Sequence, residues 1–254
     1  MTLRTVFRLP LRQTEGFVAS VIGMMGLDLQ TPDHTTLSRR GRGVQVPMLA
    51  RPTAGPRHLA IDSTGLKLMG DGEWHAHKHK TSNRRRSWRK LHLGVDDHGF
   101  IVACDLTGAR ADDGSVGVSL LEELDVPIEP FTADGAYDSR QIYDAVARAG
   151  TLGVTVVIPP SRRAALAPGA VRPWDQRNRA IERIAEVGRR QWRKEAGAHQ
   201  QARAENAMCR YKRTIGDGLR SRSFEAQRRE AMVAVRVLNR MTLLGKPISV
   251  AIRT

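Results

Sequence analysis

Three carboxylates occupy positions from which a folded chain could gather them for metal-dependent chemistry. Asp62 directly follows the apolar stretch "HLAI", and Asp134 follows "PFTA". Glu205 is the only acid between Glu195 and Asp217. Phosphodiester cleavage by two metal ions needs several carboxylates around a pair of Mg²⁺ ions that lie about 3.5–4 Å apart. Because a carboxylate in an apolar strand is costly unless it is paired or bound to metal, these acids are candidate metal ligands.

Each of these acids also has a plain structural interpretation. Asp62 and Asp134 can be turn residues at strand ends, and Glu205 can form a surface ion pair with Arg210 or Arg213. The order of predicted strands favours a site, because Asp62 and Asp134 would then lie at adjacent strand ends. Glu205 shares a helix face with Lys212, about 10–11 Å further along the helix. That distance suits a carboxylate on a metal and an ammonium group on a nearby phosphate.

A basic stretch with interleaved tryptophans follows Glu73, and no acid occurs from there until Asp96. Cations and aromatic rings together can follow a phosphate backbone and stack on unpaired bases. The alternative is a solvated hairpin loop. The predicted DNA contacts are Lys78, Lys80, Arg84, Arg85, Arg86, Trp88, Arg89 and Lys90, with Arg210 and Lys212 beside Glu205 and with Arg39 and Arg40 near the N-terminus.

Composition points to the same class of partner. The chain has 254 residues, with 41 Lys and Arg against 26 Asp and Glu, and a formal net charge of +15. A basic surface of this size suits nucleic acid as a partner. Binding to a membrane surface is the competing interpretation, but the sequence shows no long basic amphipathic helix that would support it. Two cysteines far apart, Cys104 and Cys209, indicate neither a disulfide framework nor a zinc module, and we expect a cytoplasmic protein.

The N-terminal part of the sequence predicts helices. Apolar residues recur at helical spacing over residues 12–27, and "HTTLSRRGRG" predicts a second short helix with a basic end. Residues 1–43 therefore form either a helix-turn-helix-like DNA-binding segment or two helices that simply pack together. Residues 44–56 contain three prolines without periodicity, which predicts a linker.

The elements that must position the three acids lie between residues 57 and 248. The patterns predict three strands, a helix, a strand, a helix and a strand, followed by helices. This order predicts an α/β domain with a mixed sheet flanked by helices, and it is typical of a ribonuclease H-like domain. Among the other acids, Asp112 and Asp113 fit a helix start, and Asp138 fits a cap on a helix that begins near Ser139.

Several long motifs resemble the DDE transposases of the insertion-sequence-five family. They include "IDSTGLK", "RRSWRKLHLGVD", "ADGAYDSR" and "AENAMCRYK", and the resemblance covers nearly the whole chain. It implies a ribonuclease H-like domain with an Asp–Asp–Glu triad on Asp62, Asp134 and Glu205, and the family's lysine on Lys212. It also implies two Mg²⁺ ions, with Mn²⁺ as a substitute, and cleavage of double-stranded DNA at terminal inverted repeats. Strand transfer by the 3′-hydroxyl, a homodimer in the active complex and a bacterial, nucleoid-associated location follow from the same resemblance.

Two departures from the family pattern leave other interpretations open. The family has a tyrosine seven residues before the glutamate and an arginine four before, where this chain has Ala198 and Gln201. The chain also begins inside what resembles a longer N-terminal region, which predicts a shortened copy. A truncated or decayed transposase that binds DNA with weak or no catalysis is therefore the alternative. A plain nucleic-acid-binding protein would instead have its three acids more than about 10 Å apart, too far to share a metal pair.

Overall fold

The computed structural model describes residues 1–43, 46–47, 57–68, 88–125 and 127–245. The strands are β1 (Arg57–Leu68), β2 (Trp88–Val95), β3 (Ile101–Gly108), β4 (Ile128–Ala133), β5 (Val156–Val157) and β6 (Gly218–Leu219). The helices are α1 (Thr2–Val6), α2 (Leu11–Met24), α3 (His34–Gly43), α4 (Asp113–Glu122), α5 (Arg140–Ala149), α6 (Asp175–Val187), α7 (Arg189–Glu195), α8 (Ala202–Thr214) and α9 (Phe224–Leu243). Short 3₁₀ helices occupy Gly135–Tyr137 and Ala198–Gln201.

The strands form one mixed sheet in the order β3-β2-β1-β4-β5, with β6 beside the far end of β1. β1, β2 and β3 are antiparallel neighbours, whereas β4 runs parallel to β1 and β5 runs parallel to β4. Helices cover both faces. The predicted α/β class with a mixed sheet is confirmed, and the arrangement is consistent with a ribonuclease H-like DDE fold.

β1 is longer than the sequence predicts. The pattern "HLAIDS" predicts a short strand that ends near Asp62, but β1 continues to Leu68. Beyond Ile61 the strand no longer pairs with β4, yet it keeps its partner β2 as far as Lys67. β6 then supplies a second partner at Lys67 and Leu68. Asp62 therefore lies within a strand, and the prediction of a strand-end acid is wrong for this residue.

Alternation along the strands builds a separate core on each face of the sheet. Ala60 and Leu93 point toward Ala207 of α8 and toward α9. Ile61, the next residue of β1, points to the other face, where it joins Tyr143 of α5 and residues of α4. Because side chains alternate between the two faces of a strand, Asp62 lies on the same face as Ala60, beneath α8.

A close approach between helices holds the segment after β4. A Cβ atom added at Gly117 of α4 would lie 2.9 Å from Cδ1 of Ile142 and 3.0 Å from the ring of Tyr137. Only glycine allows this packing, because both neighbours are fully buried. The contact anchors the 3₁₀ turn that directly follows Asp134.

The N-terminal helices pack on the domain. α2 lies against α3, and both α1 and α3 contact α9. Residues 25–33, nine residues, connect α2 to α3, whereas a helix-turn-helix unit uses about three or four. The helix-turn-helix function of residues 1–43 stays a prediction. The predicted linker, residues 44–56, lies almost wholly outside the described residues. Within the described part of the chain, no helix combines the length and the apolar character that crossing a membrane would need.

Candidate active site

The parallel pairing of β1 with β4 places two of the three acids side by side. Ile61 pairs with Ala133 at the last matched position of the two strands, so the next residue on each is an aspartate. Asp62 Oδ1 accepts a hydrogen bond from Ser63 N at 2.7 Å, and Asp134 Oδ1 accepts one from Ala136 N at 2.9 Å. Each carboxylate is thus oriented through one oxygen. In the described part of the chain no hydrogen bond engages the other oxygen, Oδ2, of either acid.

Glu205 approaches the same place from α8. It stands in the first turn of that helix and is exposed, next to the buried Ala204. Glu205 and Asp134 line one cavity of about 620 Å³. The face of α8 that packs on the sheet consists of Ala204, Ala207, Met208 and Tyr211. Glu205 lies at the edge of this face, whereas Cys209, which the helical spacing places with it, is exposed.

Gln201 connects the start of α8 to the strand that carries Asp62. Its Nε2 donates a hydrogen bond to the carbonyl oxygen of Ile61 at 2.9 Å. The other end of the amide, Oε1, is buried and has no partner among the described residues. A missing cation is what the sequence suggests at this position; the structure shows a neutral anchor between α8 and β1.

The three acids share one electrostatic environment. Burial, opposed by the Ser63 N–H and reinforced by the carboxylates of Asp134, Glu205 and Asp113, raises the pKa of Asp62 to about 6. No three His, Cys, Asp or Glu side chains of the described residues lie close enough together to hold a metal ion. The fold therefore brings the three backbone positions together, while the side chains as they stand are not arranged as a metal cage.

Asp113 is a fourth acid near the site, and its proximity is not visible in the sequence. It stands in the first turn of α4, next to the N-cap Asp112, as the sequence predicts. Its Oδ2 accepts a hydrogen bond from Lys90 Nζ at 2.9 Å, and its Oδ1 lies 3.5 Å from Nδ1 of the buried His92. Burial lowers the pKa of His92, and Asp113 opposes this shift. The alternation of Lys90 and His92 in "WRKLHLG" was the available signal that both point to one face.

Some of the predicted DNA-binding cations have partners inside the protein. Besides Lys90, these are Arg210 and Arg89. The guanidinium of Arg210 donates to Gly99 O at 2.7 Å and to Thr242 Oγ1 at 3.1 Å. The Nε of Arg89 donates to Gln227 Oε1 at 3.1 Å. These bonds hold β2, α8 and α9 together. A DNA contact by any of the three would have to share or break them.

Other predicted DNA contacts are exposed. Trp88 is 37% exposed, and Arg39 and Arg40 are exposed on α3. Lys212 is partly exposed and stands two turns beyond Glu205, near Asp217, whose pKa it helps to lower. Five further candidates lie outside the described residues: Lys78, Lys80, Arg84, Arg85 and Arg86.

The prediction that Asp138 caps the next helix is wrong. Ser139 is the N-cap of α5, and Asp138 instead follows the 3₁₀ turn. Its carboxylate forms an ion pair with Arg177 Nε at 2.9 Å, where its side chain is only 4% exposed. The 3₁₀ turn after Asp134 redirects Asp138 toward α6, and a turn of this kind cannot be read from local spacing.

Comparison with models of known protein families shows the family of this chain. A family model described as "Transposase DDE domain" matches residues 53–240, which are 188 of the 254 residues. A second model with the same description matches residues 1–71. The chain belongs to the DDE transposase family. The larger match contains Asp62, Asp134 and Glu205 and extends from the start of β1 into α9.

This membership makes the coarser expectations firm. DDE transposases are polynucleotidyl transferases that act on DNA, and they generally depend on divalent metal ions. The smaller match contains α1, α2 and α3. Membership in the insertion-sequence-five family, the triad residues and the homodimer stay predictions.

Proposed function

We propose that the chain is an insertion-sequence transposase of the insertion-sequence-five type. It would cleave double-stranded DNA at terminal inverted repeats and join the freed 3′-hydroxyl to target DNA, with two copies acting on two element ends in the bacterial nucleoid. Asp62, Asp134 and Glu205 are its proposed triad. The observation that supports this most is the β1–β4 register together with the raised pKa of Asp62, which Asp134 and Glu205 both increase.

The donor chemistry of the three acids fits Mg²⁺ or Mn²⁺. Both ions prefer oxygen ligands, and Mg²⁺ is bound through few carboxylates together with water. Burial, with the added repulsion of the neighbouring carboxylates, raises the pKa of Asp62, and bound cations would favour its charged form. Asp62, Asp134 and Glu205 would hold the ions. Bound ions would stabilise the attacking and the leaving oxygen of the phosphodiester.

The protein's own contribution is to hold these acids on rigid elements. Asp62 is fixed within a central strand, and Asp134 is fixed by its bond to Ala136 N. Glu205 is exposed on α8, and the N-cap of that helix, Gln201, is bonded to the backbone of β1. Lys212, on the same helix, is proposed to contact a phosphate further along the DNA.

The test is DNA cleavage by carboxylate-to-amide variants. Asp134→Asn and Glu205→Gln should each lower Mg²⁺-dependent cleavage of DNA that carries the element ends by at least about 100-fold. Such a loss corresponds to about 3 kcal/mol of transition-state stabilisation. Glu182→Gln, on the exposed surface of α6, is the matched control and should cleave like the parent. Parent-level cleavage by Asp134→Asn would contradict the proposal.

A second candidate function is DNA binding without efficient cleavage. Ala198 and Gln201 line the cavity with uncharged side chains, and the resemblance places a tyrosine and an arginine there. A strand-transfer assay should compare the parent with Gln201→Arg. Binding without cleavage by the parent, and cleavage by the arginine variant, would favour a decayed transposase.

A further inference from the structure

The cavity beside Asp134 and Glu205 has a second, basic side. Besides the two acids, it is lined by Arg193 and Lys194 of α7 and by His199 of the 3₁₀ helix. Its volume of about 620 Å³ lies within the range of about 300–1,000 Å³ that is usual for small-molecule sites. A ligand in it would therefore meet carboxylates on one side and basic side chains on the other.

The two α7 cations have no partner among the described residues, although an acid is close in sequence. Glu195 is already bound by Arg183, through Nε at 2.9 Å and Nη2 at 3.1 Å, and by Gln191 Nε2 at 3.1 Å. Arg193 and Lys194 are exposed, and no hydrogen bond or ion pair engages them in the described part of the chain. Their charges are therefore available to an anion.

The helix that presents these cations is held in place at several points. Trp192, between Arg190 and Arg193, is only 6% exposed, so α7 is anchored through its apolar side. Arg189 Nη1 donates to Pro160 O at 2.7 Å and fixes the start of the helix. Gly197 has φ 71°, a left-handed conformation that favours glycine. This residue ends the helical path and turns the chain so that His199 faces the cavity.

We propose that Arg193, Lys194 and His199 bind the phosphodiester backbone of a DNA strand in this cavity; that the strand is the substrate rests on the proposed function. A guanidinium can donate two parallel hydrogen bonds to a phosphate, and an ammonium adds a point charge. Gln201 supplies no charge because a carboxamide is neutral, and its nitrogen is already used in the bond to the β1 backbone. The basic side chains therefore hold the strand against the acids, and the cation that position 201 lacks comes from α7.

The first experiment measures DNA affinity in EDTA, so that neither metal nor catalysis contributes. A labelled duplex that carries an element end is titrated over a range of salt concentrations by fluorescence anisotropy. The double variant Arg193→Gln/Lys194→Gln should bind several-fold more weakly, and its salt slope should fall by roughly 0.7–0.9 for each lost phosphate contact. Arg193→Lys keeps the charge but loses the pair of parallel donors, so it should keep the parent's salt slope and bind more weakly than the parent but more tightly than Arg193→Gln.

Arg190 provides the matched control. It is exposed on the same helix but does not line the cavity. Arg190→Gln removes one positive charge, as Arg193→Gln does, so it reports the general effect of net charge. If Arg193→Gln and Arg190→Gln weaken binding equally, the proposal is overturned.

A double-mutant cycle locates the contact. Without metal, the Asp134 carboxylate repels a phosphate in the cavity, so Asp134→Asn should tighten DNA binding. If the strand enters the cavity only when Arg193 and Lys194 hold it, the gain in DNA affinity from Asp134→Asn should be at least about threefold smaller in the Arg193→Gln/Lys194→Gln background. In the Arg190→Gln background the gain should be unchanged. Equal gains in all backgrounds would overturn the proposal. Cleavage at the parent's level by Asp134→Asn would instead refute the transposase function. The binding result in EDTA would not depend on that outcome.

Discussion

Asp62 should destabilise the folded protein at neutral pH. Its pKa rises from the ordinary value of 3.8 to about 6 because of burial and the neighbouring carboxylates. The folded state therefore binds the proton more tightly than the unfolded state, and the free energy of unfolding decreases as the pH rises from about 4 to about 6. A shift of this size would be worth about 3 kcal/mol for a fully buried group. The side chain is partly exposed, so solvent screening reduces the expected effect to about 1–2 kcal/mol.

Asp62→Asn removes this titration while its amide oxygen can still accept the bond from Ser63 N. In EDTA, urea unfolding should show the variant to be about 1–2 kcal/mol more stable than the parent at pH 7, with the difference decreasing to near zero below pH 4. The same variant should lack cleavage activity, so stability and function would change in opposite directions. The same pH dependence in both proteins between pH 4 and pH 8 would refute the reasoning.

Asp217 supplies a control with the opposite sign. Lys67 Nζ lies 2.8 Å from its carboxylate, and this partner lowers the pKa of Asp217. A group with a lowered pKa stabilises the folded state at pH values above its ordinary pKa. This stabilisation is lost as the pH falls through the pKa of the folded state. Asp217→Asn should therefore be less stable than the parent at neutral pH and equal to it in strong acid.

Two further predictions concern packing and buried charge. Gly117→Ala should lower the free energy of unfolding in urea by about 1–3 kcal/mol because its Cβ would overlap buried side chains. Gly16→Ala, in the open interior of α2, should raise it by up to about 1 kcal/mol. Equal effects of the two substitutions would contradict the packing at Gly117. Asp138→Ala should cost about 3–5 kcal/mol because it strands the guanidinium of Arg177, whereas Glu122→Ala, in an exposed pair, should cost less than about 1 kcal/mol. Thermal melts that rank the last two variants in the reverse order would contradict the buried pair.

Much of the sheet could be predicted because its signals are local. Apolar runs bounded by turn residues predict β2, β3 and β4, and β1 up to Asp62. The end of β1 could not be predicted in this way. Its last residues are held by β6, which lies about 150 positions later in the chain and consists of only Gly218 and Leu219. A strand of two residues has no pattern of its own.

The same limit applies to individual side chains. The sequence marks Arg210 and Lys90 as cations in basic stretches, and it predicts that they contact DNA. In the structure Arg210 binds the carbonyl of Gly99, 111 positions away, and Lys90 binds Asp113 in the first turn of α4, 23 positions away. No motif in the sequence marks Arg193 and Lys194, yet the fold places them in the cavity that Asp134 also lines.

The sequence by itself determined the family, the α/β class and the three acids proposed as the triad, because these depend on motifs and on strands whose residues are adjacent in the chain. Only the tertiary structure decided that Gln201 anchors α8 to Ile61 and that the α7 cations share a cavity with Asp134 and Glu205. It also decided that burial, together with the neighbouring acids, raises the pKa of Asp62. Each of these depends on distances between residues far apart in the chain, and only the packing of helices on the sheet sets those distances.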